Sequence, residues 1–211
     1  MEIISVSRTK PEPATIERAA DVLRRGGVII YPSDTCYGLG CDARNPRAMA
    51  RIAALKGRDH AKKFSVIARD LDHVRALTLA TNEQLRVLEA HLPGPYTFVL
   101  LNADFAVATT NTLGVRIPDD PVIRSLSEAF GEPYTTTSAN LSGMGAIYRT
   151  ADLHAELLDQ LPPDRRPDLI LDAGDLPVVP ASTVVDLTQA TPVVLRQGAG
   201  EFHYTIGGTH A

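Results

Sequence analysis

A change of periodicity at Gly26-Gly27 constrains the fold of this chain more than any other feature. Before it, Ile16, Ala19, Ala20 and Leu23 recur at helical spacing behind Thr15, a cap-type residue, and the glycine pair ends the helix. After it, Val28-Ile29-Ile30-Tyr31 is apolar at every position. Successive strand residues face opposite sides, so this run needs cover on both faces. A sheet flanked by helices supplies that cover. The expected class is therefore α/β, with a twisted, open, mixed sheet.

The rest of the chain repeats this alternation with short connections. Asn45-Pro46 opens a helix through Met49, Ile52 and Ala53 that runs out at Lys56-Gly57-Arg58. Phe64 to Ile67 reads as a strand, and Thr81-Asn82-Glu83-Gln84 as a capping box whose helix stops near Pro93. Thr97 to Leu101 and Gly114 to Ile117 read as strands, and Asp120-Pro121 caps a helix that ends at Gly131. A strand over Tyr134 to Thr137, a helix near Ala151 to Leu158, and late strands at Leu169 to Leu171, Thr183 to Leu187 and Val193 to Arg196 complete the pattern. No repeat or linker divides the sequence, so residues 1–211 are expected to form one domain.

Composition narrows the partners. With 21 Lys+Arg against 25 Asp+Glu the net charge is −4, which excludes a globally basic nucleic-acid coat but leaves room for a local basic site. There is no apolar run of bilayer length and no signal-peptide pattern at the start. Cys36 and Cys41 have no second Cys or His pair at zinc-site spacing, and His60, His73, His91, His154, His203 and His210 stand singly. The two cysteines read as small packed thiols that fit a reducing cytoplasm, and no metal-ligand set is expected.

Polar signals concentrate at element ends. The segment Tyr31-Pro32-Ser33-Asp34-Thr35-Cys36-Tyr37-Gly38-Leu39-Gly40 reads either as a tight surface loop with a self-bonded Asp34 or as a ligand loop presenting Thr35 and backbone amides. Lys56 and Arg58, with Lys62 and Lys63, complement a helix dipole on one reading and a polyphosphate on the other; the second suits four cations in eight residues better. Both readings place Lys56 at a surface helix end, where its replacement costs little stability. Thr112 and Arg116 share a strand face, and an Arg there is a paired structural ion or an oxyanion clamp. Ser138 and Asn140 follow a strand, and Ser182 and Arg196 flank the last two strands. Phosphate-loop, dinucleotide-fold and nucleophile-elbow motifs are absent.

Taken together and in order, several segments resemble the YrdC/YciO family, whose characterised members are threonylcarbamoyl-AMP synthases. They are Tyr31-Pro32-Ser33-Asp34-Thr35 with Tyr37-Gly38-Leu39-Gly40, Lys56-Gly57-Arg58, Pro93-Gly94-Pro95-Tyr96-Thr97, Val115-Arg116-Ile117-Pro118, Ser138-Ala139-Asn140-Leu141-Ser142-Gly143, Ser182-Thr183-Val184-Val185-Asp186 and Leu195-Arg196-Gln197-Gly198. The resemblance implies a YrdC-like domain with a concave basic surface, in the short form without an extra C-terminal domain. It implies a cytoplasmic enzyme that joins L-threonine, bicarbonate and ATP, with Mg²⁺ bound through the phosphates and no prosthetic group. The product passes to a downstream threonylcarbamoyl transferase in tRNA N6-threonylcarbamoyladenosine modification. By the same resemblance Thr35 and Arg116 contact L-threonine. Lys56, Arg58 and Arg196 hold the triphosphate, with Lys56 and Arg58 catalytic, and Thr112, Ser138, Asn140 and Ser182 complete the ATP pocket.

The sequence departs from the family in places. Asp59 and Lys62-Lys63 replace residues common after the K-x-R motif, and Ala146 stands where a Ser is frequent. Gly40-Cys41 and Ala68-Arg69-Asp70-Leu71 lean towards the YciO branch. The alternative expectation is thus a YciO-like paralogue that binds nucleotide, tRNA or double-stranded RNA with altered synthase activity. A different carbamoyl or acyl transfer on the same fold is a third option.

Overall fold

The computed structural model describes residues 1–57, 64–103 and 111–204. They form ten strands: β1 (Glu2–Ser5), β2 (Val28–Tyr31), β3 (Gly38–Cys41), β4 (Ser65–Ile67), β5 (Tyr96–Leu101), β6 (Thr112–Arg116), β7 (Tyr134–Ser138), β8 (Leu169–Asp172), β9 (Thr183–Asp186) and β10 (Val193–Arg196). The sheet order is β1-β8-β2-β3-β7-β4-β6-β5-β9-β10, with parallel and antiparallel neighbours mixed. The helices are α1 (Pro13–Arg24), α2 (Pro46–Lys56), α3 (Leu71–Leu77), α4 (Asn82–Glu89), α5 (Pro121–Phe130) and a short α6 (Thr150–Asp152). This is the α/β mixed sheet expected from the periodicity.

The double-faced burial of β2 is realised residue by residue. Val28 and Ile30 pack with Ile52 and Leu55 of α2, while Ile29 and Tyr31 pack with Leu23 of α1 and Leu126 of α5. Among the described residues, the second half of the sheet has a helical layer on one side only. Phe98, Leu100, Leu113 and Val115 pack with Val74 of α3 and Leu88 of α4, and the opposite face of these strands is left open and concave.

Local capping signals are met. Asn45 Oδ1 accepts from the Arg47 and Ala48 amides, Asp120 from Val122 and Ile123, and Thr81 and Gln84 form the reciprocal box. Several expectations are corrected. Helix α1 starts at Pro13 behind Glu12, two residues before the expected Thr15 cap, because a proline at the first helical position needs no amide partner. Segment 38–41, read as loop, is a strand between β2 and β7; a Cβ at Gly40 would stand 2.5 Å from the Thr135 carbonyl oxygen, so the close pairing requires the glycine. The helix expected near Ala151 to Leu158 is α6 followed by a π turn and a 3₁₀ turn. Strand β1 and helix α3 were not foreseen.

Candidate active site

The open face of the second half-sheet is a cleft of about 400 Å³. It is lined by loop residues Ser33, Thr35 and Cys36 and by alternate strand residues, including Thr97, Thr112, Gly114 and Arg116, together with Ser138, Asn140, Ser182 and Arg196. Thr112, Gly114 and Arg116 share the cleft side of β6, with Leu113 and Val115 in the core behind, as the period of two requires. A larger groove of about 730 Å³ lies between α3 and α4. Its Arg69 and Arg75 are exposed and pair with neighbouring Asp70 and Asp72, while the smaller cleft brings buried hydroxyls together with two arginines from several strands and is the stronger candidate.

The ligand loop is shaped by Ser33. Its hydroxyl accepts from the Thr35 and Cys36 amides, each at 3.2 Å, and donates to the Cys36 carbonyl at 2.6 Å. That turn presents Thr35, 4% exposed, to the cleft. Arg116 Nη2 donates to Asp34 Oδ1 at 2.7 Å, and the two side chains are 10% and 9% exposed. Arg116 is thus both a paired ion and a cleft residue. Burial pushes the Asp34 carboxyl up, against the opposing pull of the Arg116 charge and hydrogen bond.

Lys56 corrects the surface reading. It is 4% exposed, and its ammonium donates to the carbonyls of Ser138 (2.6 Å) and Asn140 (2.9 Å) and to Asn140 Oδ1 (2.9 Å). Gly57 ends α2 in the left-handed region, φ 61°, and the Ser142 amide bonds the Lys56 carbonyl. The helix end is therefore tied into the 138–142 turn, not left to solvent. Asn140 extends the tie: its Oδ1 also accepts from Ser138 Oγ, and its Nδ2 donates to the Met144 and Gly145 carbonyls. Arg58, Lys62 and Lys63 lie outside the described residues.

At the opposite rim, Arg196 donates from Nε and Nη2 to the Ser182 carbonyl and from Nη2 to Ser182 Oγ, which contacts Thr97 Oγ1 at 2.9 Å. Sequence reasoning missed the roles of Ser33 and Thr97. A threonine facing the opposite way from Phe98 and Leu100 was the available signal for the latter. The cysteines separate: Cys36 lines the cleft, while Cys41 lies in the core with its thiol pushed up by burial to about 12. Among the described residues no carboxylate lines the cleft, and no group of three or more metal-ligating side chains is present.

Comparison with known proteins agrees with this architecture. A family model described as telomere recombination, covering Sua5, YciO and YrdC proteins, matches residues 21–198. The uncharacterized protein YciO of Escherichia coli K12 is 35% identical over 196 residues, 90% of this chain and 92% of its own. A threonylcarbamoyl-AMP synthase of Vibrio cholerae is 37% identical over 153 residues, 69% of this chain and 81% of its own. The crystal structure of E. coli YciO superposes with a TM-score of 0.84 at 32% identity, covering 95% of this chain and 98% of that one. P. abyssi Sua5 complexed with L-threonine superposes with a TM-score of 0.84 at 28% identity, covering 94% of this chain and 58% of that one. By sequence match and by fold, the chain belongs to the Sua5/YciO/YrdC family.

Proposed function

We propose that this chain is a threonylcarbamoyl-AMP synthase, making threonylcarbamoyl-AMP and pyrophosphate from L-threonine, bicarbonate and ATP for tRNA N6-threonylcarbamoyladenosine modification. The observation that carries this reading is the cleft itself, where Arg116 and Arg196 stand among hydroxyls with no carboxylate in the described lining. Such a site is suited to holding and polarising anionic reactants. Relatives named threonylcarbamoyl-AMP synthase, and a Sua5 relative complexed with L-threonine, support the choice of substrates.

In this reading the threonine amine attacks the bicarbonate carbon and water leaves, giving a carbamate. A carbamate oxygen then attacks the α-phosphorus of ATP, and the bond to pyrophosphate breaks. Arg116 holds the amino-acid carboxylate beside Thr35, and Arg196 with Arg58 holds the triphosphate, where negative charge grows. Ser138, Asn140, Thr112 and Ser182 line the space between. Lys56 acts by shaping the turn that carries Ser138 and Asn140 and by adding its charge behind them. With no carboxylate in the described lining, Mg²⁺ would be held by phosphate oxygens and water and would neutralise the departing pyrophosphate.

The test is purified protein with ATP, Mg²⁺ and bicarbonate, with and without L-threonine, read by pyrophosphate release and mass detection of the adenylate. L-threonine-dependent release with the adenylate mass is the expected result, and its absence refutes the proposal. The E. coli YciO relative covers 90% of this chain against 69% for the V. cholerae synthase, which favours the YciO branch and keeps a second reading, a paralogue that binds RNA or nucleotide with altered synthase activity. That reading predicts salt-sensitive RNA binding without adenylate formation.

A further inference from the structure

Two arginines face the same cleft in different electrical states. Arg116 is neutralised by Asp34 at 2.7 Å. Arg196 is held through the carbonyl and hydroxyl of Ser182, uncharged oxygens, and keeps its positive charge. The two guanidiniums sense each other: burial, and then Arg116, lowers the pKa of Arg196. The Asp34–Arg116 contact is one hydrogen bond, not a two-bond fork, for Asp34 Oδ2 and Arg116 Nε are both buried without a hydrogen-bond partner. Asp34 therefore occupies one Nη2 position and leaves the rest of a guanidinium that lines the cleft.

We infer that Asp34 is a specificity-determining residue, acting through Arg116 to divide the cleft into a carboxylate end and a phosphate end. The inference rests on the proposed function for the identity of the two ligands. A charge-balanced guanidinium still offers a planar set of N–H donors, which is enough to orient an α-carboxylate. It lacks the net charge that draws a polyphosphate, and the Asp34 carboxylate repels one. Among the described residues, Arg196 has no such neighbour in its hydrogen bonds. Without Asp34 both ends would attract the triphosphate, and ATP would compete with the amino acid for Arg116.

The test uses L-threonine and inorganic tripolyphosphate at pH 8, each titrated by calorimetry in the presence of the other. In the parent protein the two are expected to bind together, with L-threonine affinity unchanged by saturating tripolyphosphate. In Asp34→Asn, tripolyphosphate should displace L-threonine and lower its apparent affinity by about tenfold, and Asp34→Glu should restore independent binding. A purely structural role would lower the melting temperature without changing which ligand tripolyphosphate displaces. Competition between the two ligands in the parent overturns the inference, as does failure of L-threonine to bind or independent binding in a folded Asp34→Asn. Should Asp34→Asn not fold, the parent titration alone decides. Independent binding without adenylate formation would sink the synthase reading and leave this one standing. Adenylate formation with competition in the parent would do the reverse.

Discussion

Replacing Lys56 with Met separates a buried tie from a solvated helix end. Lys56 is 4% exposed, and among the described residues its ammonium serves three oxygens, the carbonyls of Ser138 and Asn140 and Asn140 Oδ1. Asn140 Oδ1 keeps the Ser138 hydroxyl as a donor after the substitution, but each of the two carbonyls loses its Lys56 donor. Hydrogen bonds to charged groups are worth about 1.5–3 kcal/mol each. Because the three share one donor and Met removes a buried charge, the sum is less than additive, about 2–4 kcal/mol. At about 2–4 °C per kcal/mol for a chain of this size, the melting temperature should fall by about 4–16 °C without ligand. Thermal unfolding followed by circular dichroism measures this directly, with the exposed Lys10→Met as a control expected within about 1 °C. Lys56→Arg should not recover the loss, because a planar fork does not match three oxygens converging on one point. A Lys56→Met protein that melts with the parent would refute the tie and restore the surface reading of this residue.

Three further outcomes are expected. Burial raises the Asp168 pKa, but the Arg51 hydrogen bond, the Val28 amide, the Arg51 charge and the N-terminal charge outweigh it and leave the carboxyl below its usual range. A depressed carboxylate stabilises the fold above its unfolded pKa of about 4 and loses that contribution as pH falls through the folded value. Asp168→Asn should therefore melt below the parent at pH 7, with the gap closing in melts taken below about pH 4; a gap independent of pH would contradict the assignment. At Gly114 on the cleft floor a Cβ would stand 2.5 Å from Ser65 Oγ, so Gly114→Ala should displace Ser65 and raise substrate KM in the pyrophosphate assay, and an unchanged KM would show that the floor is not used. The Cys36 thiol lines the cleft but burial pushes it up, keeping it protonated near neutrality, so Cys36→Ala should retain most activity; loss of turnover at an unchanged melting temperature would give the thiol a chemical part.

Elements with short-range causes were legible in the chain. The apolar run Val28–Tyr31 identified the doubly covered strand, and the Asn45-Pro46, Thr81–Gln84 and Asp120-Pro121 pairs marked helix starts, because each signal acts within one turn of backbone. The resemblance to the family singled out Thr35, Thr112, Arg116, Ser138, Asn140, Ser182 and Arg196, and all seven line the cleft, whereas their residue types alone left structural uses open.

What tertiary structure alone decided depends on partners far along the chain. Strand β1 exists through its pairing with β8 at Glu2–Leu169, and β3 through its two flanking strands, although its glycines read as loop. Lys56 and Asp34 carried no local mark of their partners, which lie 82 to 84 residues away. A side chain's charge and reach are properties of the residue. Whether that charge meets water, carbonyl oxygens or an opposite charge is set by what the sheet brings beside it.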